Sequence, residues 1–581
     1  MAGATADRVS GYLPGLATLR RYQRGWLRPD IVAGIVLAAI LVPQGMAYAE
    51  LAGLPPVTGL YTTIACLVGY AIVGPSKVLV LGPDSSVSPL ILATITPLLV
   101  PADPARAIAL AAMLAVMVGL IEIGLGVAKL GFVADLLSSE IRVGYLNGLA
   151  VTIIVGQLPK LFGFSTDADG FVDEIRQFLT HLDETSMVTL VTGLAVLAVL
   201  LVLPMLTRKV PAILVAVIGV TVVSAIVGLV DHGVKTVGEL PQGVPTPEMP
   251  FTQWSDVIPL LAGAIGITMV SLTDTIATAS AFATRRGEEV DADKEIIGIG
   301  ASNVAAGVFQ GFAVSVSSSR TAVADQAGAR SQMAGLVGAG LVAVLLLFLN
   351  GLLADMPQTA LAAVVITAAI SLLDLDALAR YARIRPSALA ISLVAAAGVI
   401  FVGVLQGIII ALVLAVLLFF RRNWWPHGAV LGEVADVGGW HSIVKYPDAR
   451  LIPGIVVYRW EAPLFFANAG QFRAQIRHLM LEYQPRWIIL QCEAITDIDV
   501  TASEILRDLD EECNAAGTHI AFVELRDRLH DLVARYGLHS TLDSEHFYPG
   551  LEQALADIGG EPDRDATNRG PNPDGRGPDS A

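Results

Sequence analysis

Two hydroxyl-rich runs interrupt apolar stretches of this sequence. The first is Gly82-Pro83-Asp84-Ser85-Ser86-Val87-Ser88-Pro89, and the second is Val314-Ser315-Val316-Ser317-Ser318-Ser319-Arg320-Thr321. A helix that starts within a membrane presents unpaired N–H groups and about half a positive charge. Two such starts facing each other form an anion site. Ser85, Ser86, Ser317, Ser318 and Ser319 add hydroxyl donors, and Arg320 adds a charge that pH does not remove. Asp84 lies beside this site and would repel an anion, so it is expected to cap the half-helix.

Asp274 is a second ionisable residue inside an apolar run, ITMVSLTDTIATASAFA. A carboxylate there requires a partner or a proton. Thr278 follows at i+4 on the same helix face. Asp274 and Thr278, with Ser318, form a possible sodium site; a proton on Asp274 or an ion pair with Arg320 are the alternatives. Near the start of the chain, Gln44 and Tyr48 share a face beside Pro43 and offer an amide and an aromatic wall.

These residues sit in a long apolar region. Stretches long enough for a bilayer crossing recur at 31–49, 57–74, 79–98, 106–127, 132–158, 187–205, 210–229, 257–283, 295–311, 313–328, 333–354, 358–374, 386–403 and 405–421. The third and tenth of these about fourteen segments are the interrupted ones, at matching positions in two halves. Matched interruptions point to a transporter's binding site, because freed backbone groups are tolerated in a membrane only where they line a cavity.

Charge placement supports the count. With the N-terminus inside, the inner junctions carry Lys77, Lys129, Arg208, Lys209, Arg285, Arg286, Arg330, Arg380, Arg383, Arg385, Arg421 and Arg422. The outer loops carry only Arg106, Lys160, Arg176 and Lys235. This positive-inside pattern places both termini in the cytoplasm. The polar N-terminus shows no cleavable signal peptide.

After Trp425 the texture changes. Residues 454–459, 487–492 and 518–523 read as strands, and 470–483 and 501–516 as amphipathic helices, which predicts a small α/β domain. The predicted organisation is a 1–30 cytoplasmic segment, a 31–425 transmembrane domain, a 426–560 linker and soluble domain, and a disordered 561–581 tail rich in Pro, Gly, Asp and Asn. A net charge of −16 gives no support to a nucleic-acid partner. Cys66, Cys492 and Cys513 lack metal-ligand spacing and read as free thiols.

The motifs PQGMAYAELAGLPPVTGLY at 43–61, FATRRGEEVDADKEIIGIGASN at 282–303 and SVSSSRTAVADQAGAR at 315–330 resemble the sulfate permease (SulP) family, relatives of the SLC26 anion transporters. The resemblance runs from about Asp30 to Ile558. APLFFANAGQF at 462–472 and DIDVTASEIL at 497–506 resemble a STAS domain. The resemblance implies a polytopic α-helical membrane protein with seven-plus-seven inverted repeats, a core moving against a gate, and a cytoplasmic STAS domain. It also implies a homodimer in the plasma membrane and a substrate site between the third and tenth half-helices. That site takes in Gln44, Tyr48, Ser317, Ser318, Ser319 and Arg320, and Asp274 matches the acidic position of cation-coupled members. In the STAS domain, Thr501 after Asp499 and Val500 matches the position phosphorylated in signalling relatives; a helix N-cap role is the alternative.

The expected function is secondary transport of a small oxyanion, sulfate favoured, coupled to H+ or Na+ by alternating access. Bicarbonate or a C4-dicarboxylate suits the same chemistry. A membrane-anchored STAS signalling protein, with a cytoplasmic partner at Thr501, is the competing class; a nucleobase permease fits the fixed cation Arg320 less well. No nucleophile–base set, Walker loop or His/Cys cluster points to an enzyme or to ATP-driven transport, and no cofactor is expected.

Overall fold

A computed structural model describes residues 13–558 apart from 100–102, 137, 167, 169, 208–210, 251, 435–436, 539–541 and 543. The predicted tail at 561–581, and Arg208 and Lys209, lie outside the described residues. The chain forms two compact units, Met1–Ala415 and Val416–Ala581.

The fourteen expected segments all contain a helix. In the first half these are α1 (Leu27–Leu51), α2 (Pro56–Val73), α3 (Ser88–Ile95), α4 (Pro104–Val127), α5 (Ser139–Phe162), α6 (Met187–Leu206) and α7 (Ala212–Val227). In the second half they are α8 (Trp254–Arg286), α9 (Ala292–Val308), α10 (Ser318–Gln326), α11 (Met333–Phe348), α12 (Gln358–Leu372), α13 (Pro386–Ala397) and α14 (Val404–Trp424). Among the described residues, seven helices are long and apolar enough to cross a membrane, and five shorter ones are apolar. The third and tenth segments each contain an extended piece and then a short helix: β1 (Leu81–Gly82) precedes α3, and β2 (Ser315–Val316) precedes α10.

The packing repeats between the halves. Helix α1 packs on α11 as α8 packs on α4, and α2 on α11 as α9 on α4. Helix α1 meets α10 as α8 meets α3, and α5 meets α13 as α12 meets α6. Moving each helix seven places along the order converts one contact into the other, which is the inverted repeat. Helices α1–α4 and α8–α11 form one interlocked group, and α5–α7 with α12 and α13 form another.

Small residues permit these close crossings, as between membrane helices generally. A Cβ on Gly119 of α4 would lie 2.5 Å from the carbonyl oxygen of Gly300 on α9, and one on Gly300 would lie 2.8 Å from that of Gly119. Helix α8 has strong local ends. Gln253 and Asp256 form a capping box, Arg285 and Arg286 occupy the last turn, and Gly287 ends the helix at φ 66°.

The soluble unit has a six-stranded sheet in the order β4-β3-β5-β6-β7-β8. Its strands are β3 (Gly428–Glu433), β4 (Trp440–Ser442), β5 (Ile455–Trp460), β6 (Trp487–Gln491), β7 (His519–Val523) and β8 (Phe547–Tyr548). The run from β5 to β8 is parallel, while β3 pairs antiparallel with both β4 and β5. Strand alternation separates two cores. Val456, Tyr458 and Trp460 face helices α15 (Ala469–Tyr483), α16 (Val500–Ala515) and α17 (Asp527–Arg535). Ile455 and Val457 face α18 (Leu551–Ile558). The cysteines are free and buried. Burial, then the charge of Asp510, pushes the Cys513 thiol up to about 12, so it stays protonated at neutral pH.

Candidate anion site

The two interrupted segments meet. Strands β1 and β2 pair antiparallel, Leu81 opposite Val316 and Gly82 opposite Ser315. Ser317 N–H donates to the Val80 carbonyl at 3.1 Å, and Val80 N–H donates to Thr321 Oγ1 at 3.1 Å. Backbone pairing thereby brings together the chain just ahead of α3 and of α10.

At the start of α10, Ser317 is the N-cap, its Oγ accepting from Arg320 N–H and lying 3.1 Å from Ser319 Oγ. Ser318 and Ser319 are exposed and Ser317 is buried. Arg320 is 1% exposed, and none of its guanidinium nitrogens makes a hydrogen bond among the described residues. Its ion partner is Asp84, with Nη2 3.6 Å from Oδ2. The alternative pairing of Arg320 with Asp274 is therefore not what forms.

Asp84 does not cap α3, contrary to expectation. The residue at that cap is Val87, which makes no side-chain cap bond. Asp84 instead closes the turn before it: its Oδ1 accepts from Ser86 N–H at 3.0 Å and from Ser86 Oγ at 2.8 Å. The helix starts one turn later than an Asp84 cap would set it, and the carboxylate is left free to meet Arg320.

One stretch of α8 ties both half-helices. Ser86 Oγ also lies 3.0 Å from Asp274 Oδ2, and Thr278 Oγ1 lies 2.7 Å from Ser318 Oγ. Asp274 thus reaches the α3 side and Thr278 the α10 side. Thr278 and Ser318 come together as expected; no hydrogen bond among the described residues joins either to the Asp274 carboxylate. Gln44 and Tyr48 are buried in α1. Tyr48 interacts with Ser85, Asp84 and Arg320, and Gln44 Oε1 has no hydrogen-bond partner among the described residues.

Sequence reading missed other polar residues around this site. Arg142 and Tyr145 of α5 interact electrostatically with Asp274. Glu122 of α4 and Asn303 of α9 are 0% exposed and bond to each other. Glu122 had a clear signal, an acid inside the apolar run 106–127, and should have stood beside Asp274.

In the STAS-like unit, Asp499 is the N-cap of α16, its Oδ1 accepting from Ala502 N–H at 2.8 Å and its Oδ2 from Phe466 N–H at 2.8 Å. The N-cap role expected as an alternative for Thr501 belongs to Asp499. Thr501 is exposed in the first turn.

Comparison with known proteins agrees with this architecture. The family model described as the sulfate permease family matches residues 27–395, and that of the STAS domain matches 446–554. A probable sulfate transporter of Mycobacterium tuberculosis strain H37Rv is 40% identical over 548 residues, covering 94% of this chain and 98% of the relative. Human solute carrier family 26 member 6 is 32% identical over 484 residues, covering 79% of this chain and 63% of its own. The solved structure of SLC26A9 superposes with a TM-score of 0.87 at 24% identity, covering 96% of this chain and 94% of that one. The transmembrane domain of a cyanobacterial bicarbonate transporter, BicA, gives a TM-score of 0.60 at 23% identity, covering 68% of this chain and 98% of that one.

Proposed function

From the premise that this chain belongs to the sulfate permease family, a family of membrane transporters rather than enzymes, we propose that it carries a small oxyanion, sulfate first, by alternating access. The observation that supports this most is Arg320, buried where the paired strands ahead of the two half-helices meet, with no hydrogen bond on its guanidinium among the described residues. In this reading Ser317, Ser318 and Ser319 and the N–H groups of α10 surround the anion, with Ser85 and Ser86 opposite. Gln44 and Tyr48 form the wall from α1. Asp274 carries the coupling H+ or Na+, with Thr278 and Ser318 as neutral ligands in the sodium case. The protein is a homodimer in the plasma membrane with both termini cytoplasmic, and its STAS unit binds a cytoplasmic partner that biases the transport cycle.

Uptake of labelled sulfate into proteoliposomes tests this, with and without sodium or proton gradients and against excess bicarbonate or fumarate. Saturable, gradient-stimulated uptake insensitive to both competitors is expected. Arg320→Ala should weaken anion affinity at least about tenfold, because a buried charge-assisted contact is lost. Asp274→Asn should abolish gradient stimulation and leave exchange intact. Normal uptake by Arg320→Ala would sink the electrostatic account. Competition by bicarbonate or fumarate would move the substrate to that anion.

A further inference from the structure

Glu122 lies in the last third of α4, just past the point where that helix crosses α9 at Gly119 and Gly300. One turn beyond this contact, its side chain reaches Asn303: Asn303 Nδ2 donates to Glu122 Oε2 at 2.8 Å. Asn303 Oδ1 accepts from Val314 N–H at 2.7 Å, and its Nδ2 lies 3.4 Å from the Val314 carbonyl. Val314 immediately precedes β2, the strand leading into α10. Ser271 of α8 faces the Glu122 carboxyl, and its Oγ lies 3.4 Å from the same Val314 carbonyl. Glu122, Asn303 and Ser271 are each 0% exposed, and Glu122 Oε1 has no hydrogen-bond partner among the described residues.

Among the described residues, no cation pairs with Glu122. From α8 it faces Ser271, with Asp274 one turn further. From α9 it faces Asn303, with Glu295 two turns back. On the β2 side it faces Val314, and beyond that Arg320, which pairs with Asp84. An ionised carboxylate here would be an uncompensated charge in a membrane interior. A neutral carboxyl needs no counter-charge here. Asn303 Nδ2 donates to Glu122 Oε2, Val314 N–H donates to Asn303 Oδ1, and Ser271 Oγ donates to the Val314 carbonyl, which links the Glu122 side chain to the backbone ahead of α10.

We infer that Glu122 is a proton-binding site, separate from Asp274, and that its neutral form positions the backbone leading into α10. It acts through Asn303, beside Ser271 which holds the same Val314, and touches no transported ion. The inference rests on the proposed anion site only in what α10 is positioned for.

Two measurements on the full-length protein test it. In infrared spectra at neutral pH, wild type should show a protonated-carboxyl C=O band that Glu122→Gln lacks. A carboxylate band lost in the variant instead would overturn the inference. In proteoliposomes, Glu122→Gln should keep the sulfate KM within about twofold of wild type, while Ser271→Ala and Glu122→Ala raise it about tenfold through lost support of Val314. Glu122→Gln behaving like Glu122→Ala would also overturn it. If Glu122→Ala does not fold, Ser271→Ala and the infrared comparison still decide. If wild type transports no sulfate, the proposed function fails, and the infrared result stands on its own.

Discussion

At the scale of single residues, Gly82 is as constrained as the charges around it. A Cβ there would lie 2.8 Å from Arg320 Nη1 and 3.4 Å from its Cζ. Gly82→Ala should therefore push the guanidinium off its position and raise the anion KM about tenfold with a smaller change in kcat. The concentration dependence of initial uptake measures it. Residue types were legible where they contradicted their surroundings. Arg320 and Asp274 stand out as charges in apolar runs, and the serine runs as breaks in them. The partnerships were not legible. Asp84 meets Arg320 because the chain turns once more before α3 begins, and that turn depends on where Ser86 N–H and Oγ find an acceptor. A sequence pattern carries helix starts only to within a turn or so, which is the distance separating a capping acid from an ion-pairing one.

At the scale of elements, apolar length located most helices of the membrane unit, because lipid imposes one dominant constraint on them, while α9 and α10 fall outside both the long and the shorter apolar helices among the described residues. The soluble unit was read less fully. Strands β5, β6 and β7 were visible as short buried runs, while β3, β4 and β8 were not. They lie at or near the edges of the sheet, and β4 and β8 bury few residues fully, so their sequences carry little hydrophobic signal. Helix α16 offers a clean test of how an end is set. Asp499 holds two backbone N–H groups, whereas Thr501 is exposed and is not the cap. Asp499→Ala should destabilise the α16 end by about 1 kcal/mol, seen as faster amide exchange in its first turn. Thr501→Ala should leave that exchange unchanged.

At the scale of the whole molecule, a repeat of seven helices was legible as two matched interruptions and an alternating charge pattern. Its three-dimensional expression, α1 on α11 mirrored by α8 on α4, is a property of packing that no local pattern encodes. The topology carries its own prediction. Epitope tags fused to either end should bind antibody only after the cell membrane is permeabilised, while a tag inserted in the loop between α5 and α6 should be reached in intact cells. A tag at either end stained from outside would overturn the positive-inside assignment.

The ion pair between Arg320 and Asp84 has an electroneutrality consequence. Because the pair is net neutral, the net charge at the site comes from the helix ends, about half a charge each, while the Arg320 guanidinium, without hydrogen bonds among the described residues, keeps its N–H groups for an anion in direct contact. An ionised Asp274 offsets that sum. A doubly charged oxyanion entering such a pocket leaves it about two charges negative, a singly charged one about one. The compartment is then neutral only when cations enter in matching number. In the proposed cycle, the count of protons or sodium ions that would travel with the anion, and with it the direction in which membrane voltage would drive transport, follows from whether this one carboxylate of α8 is charged when the anion arrives.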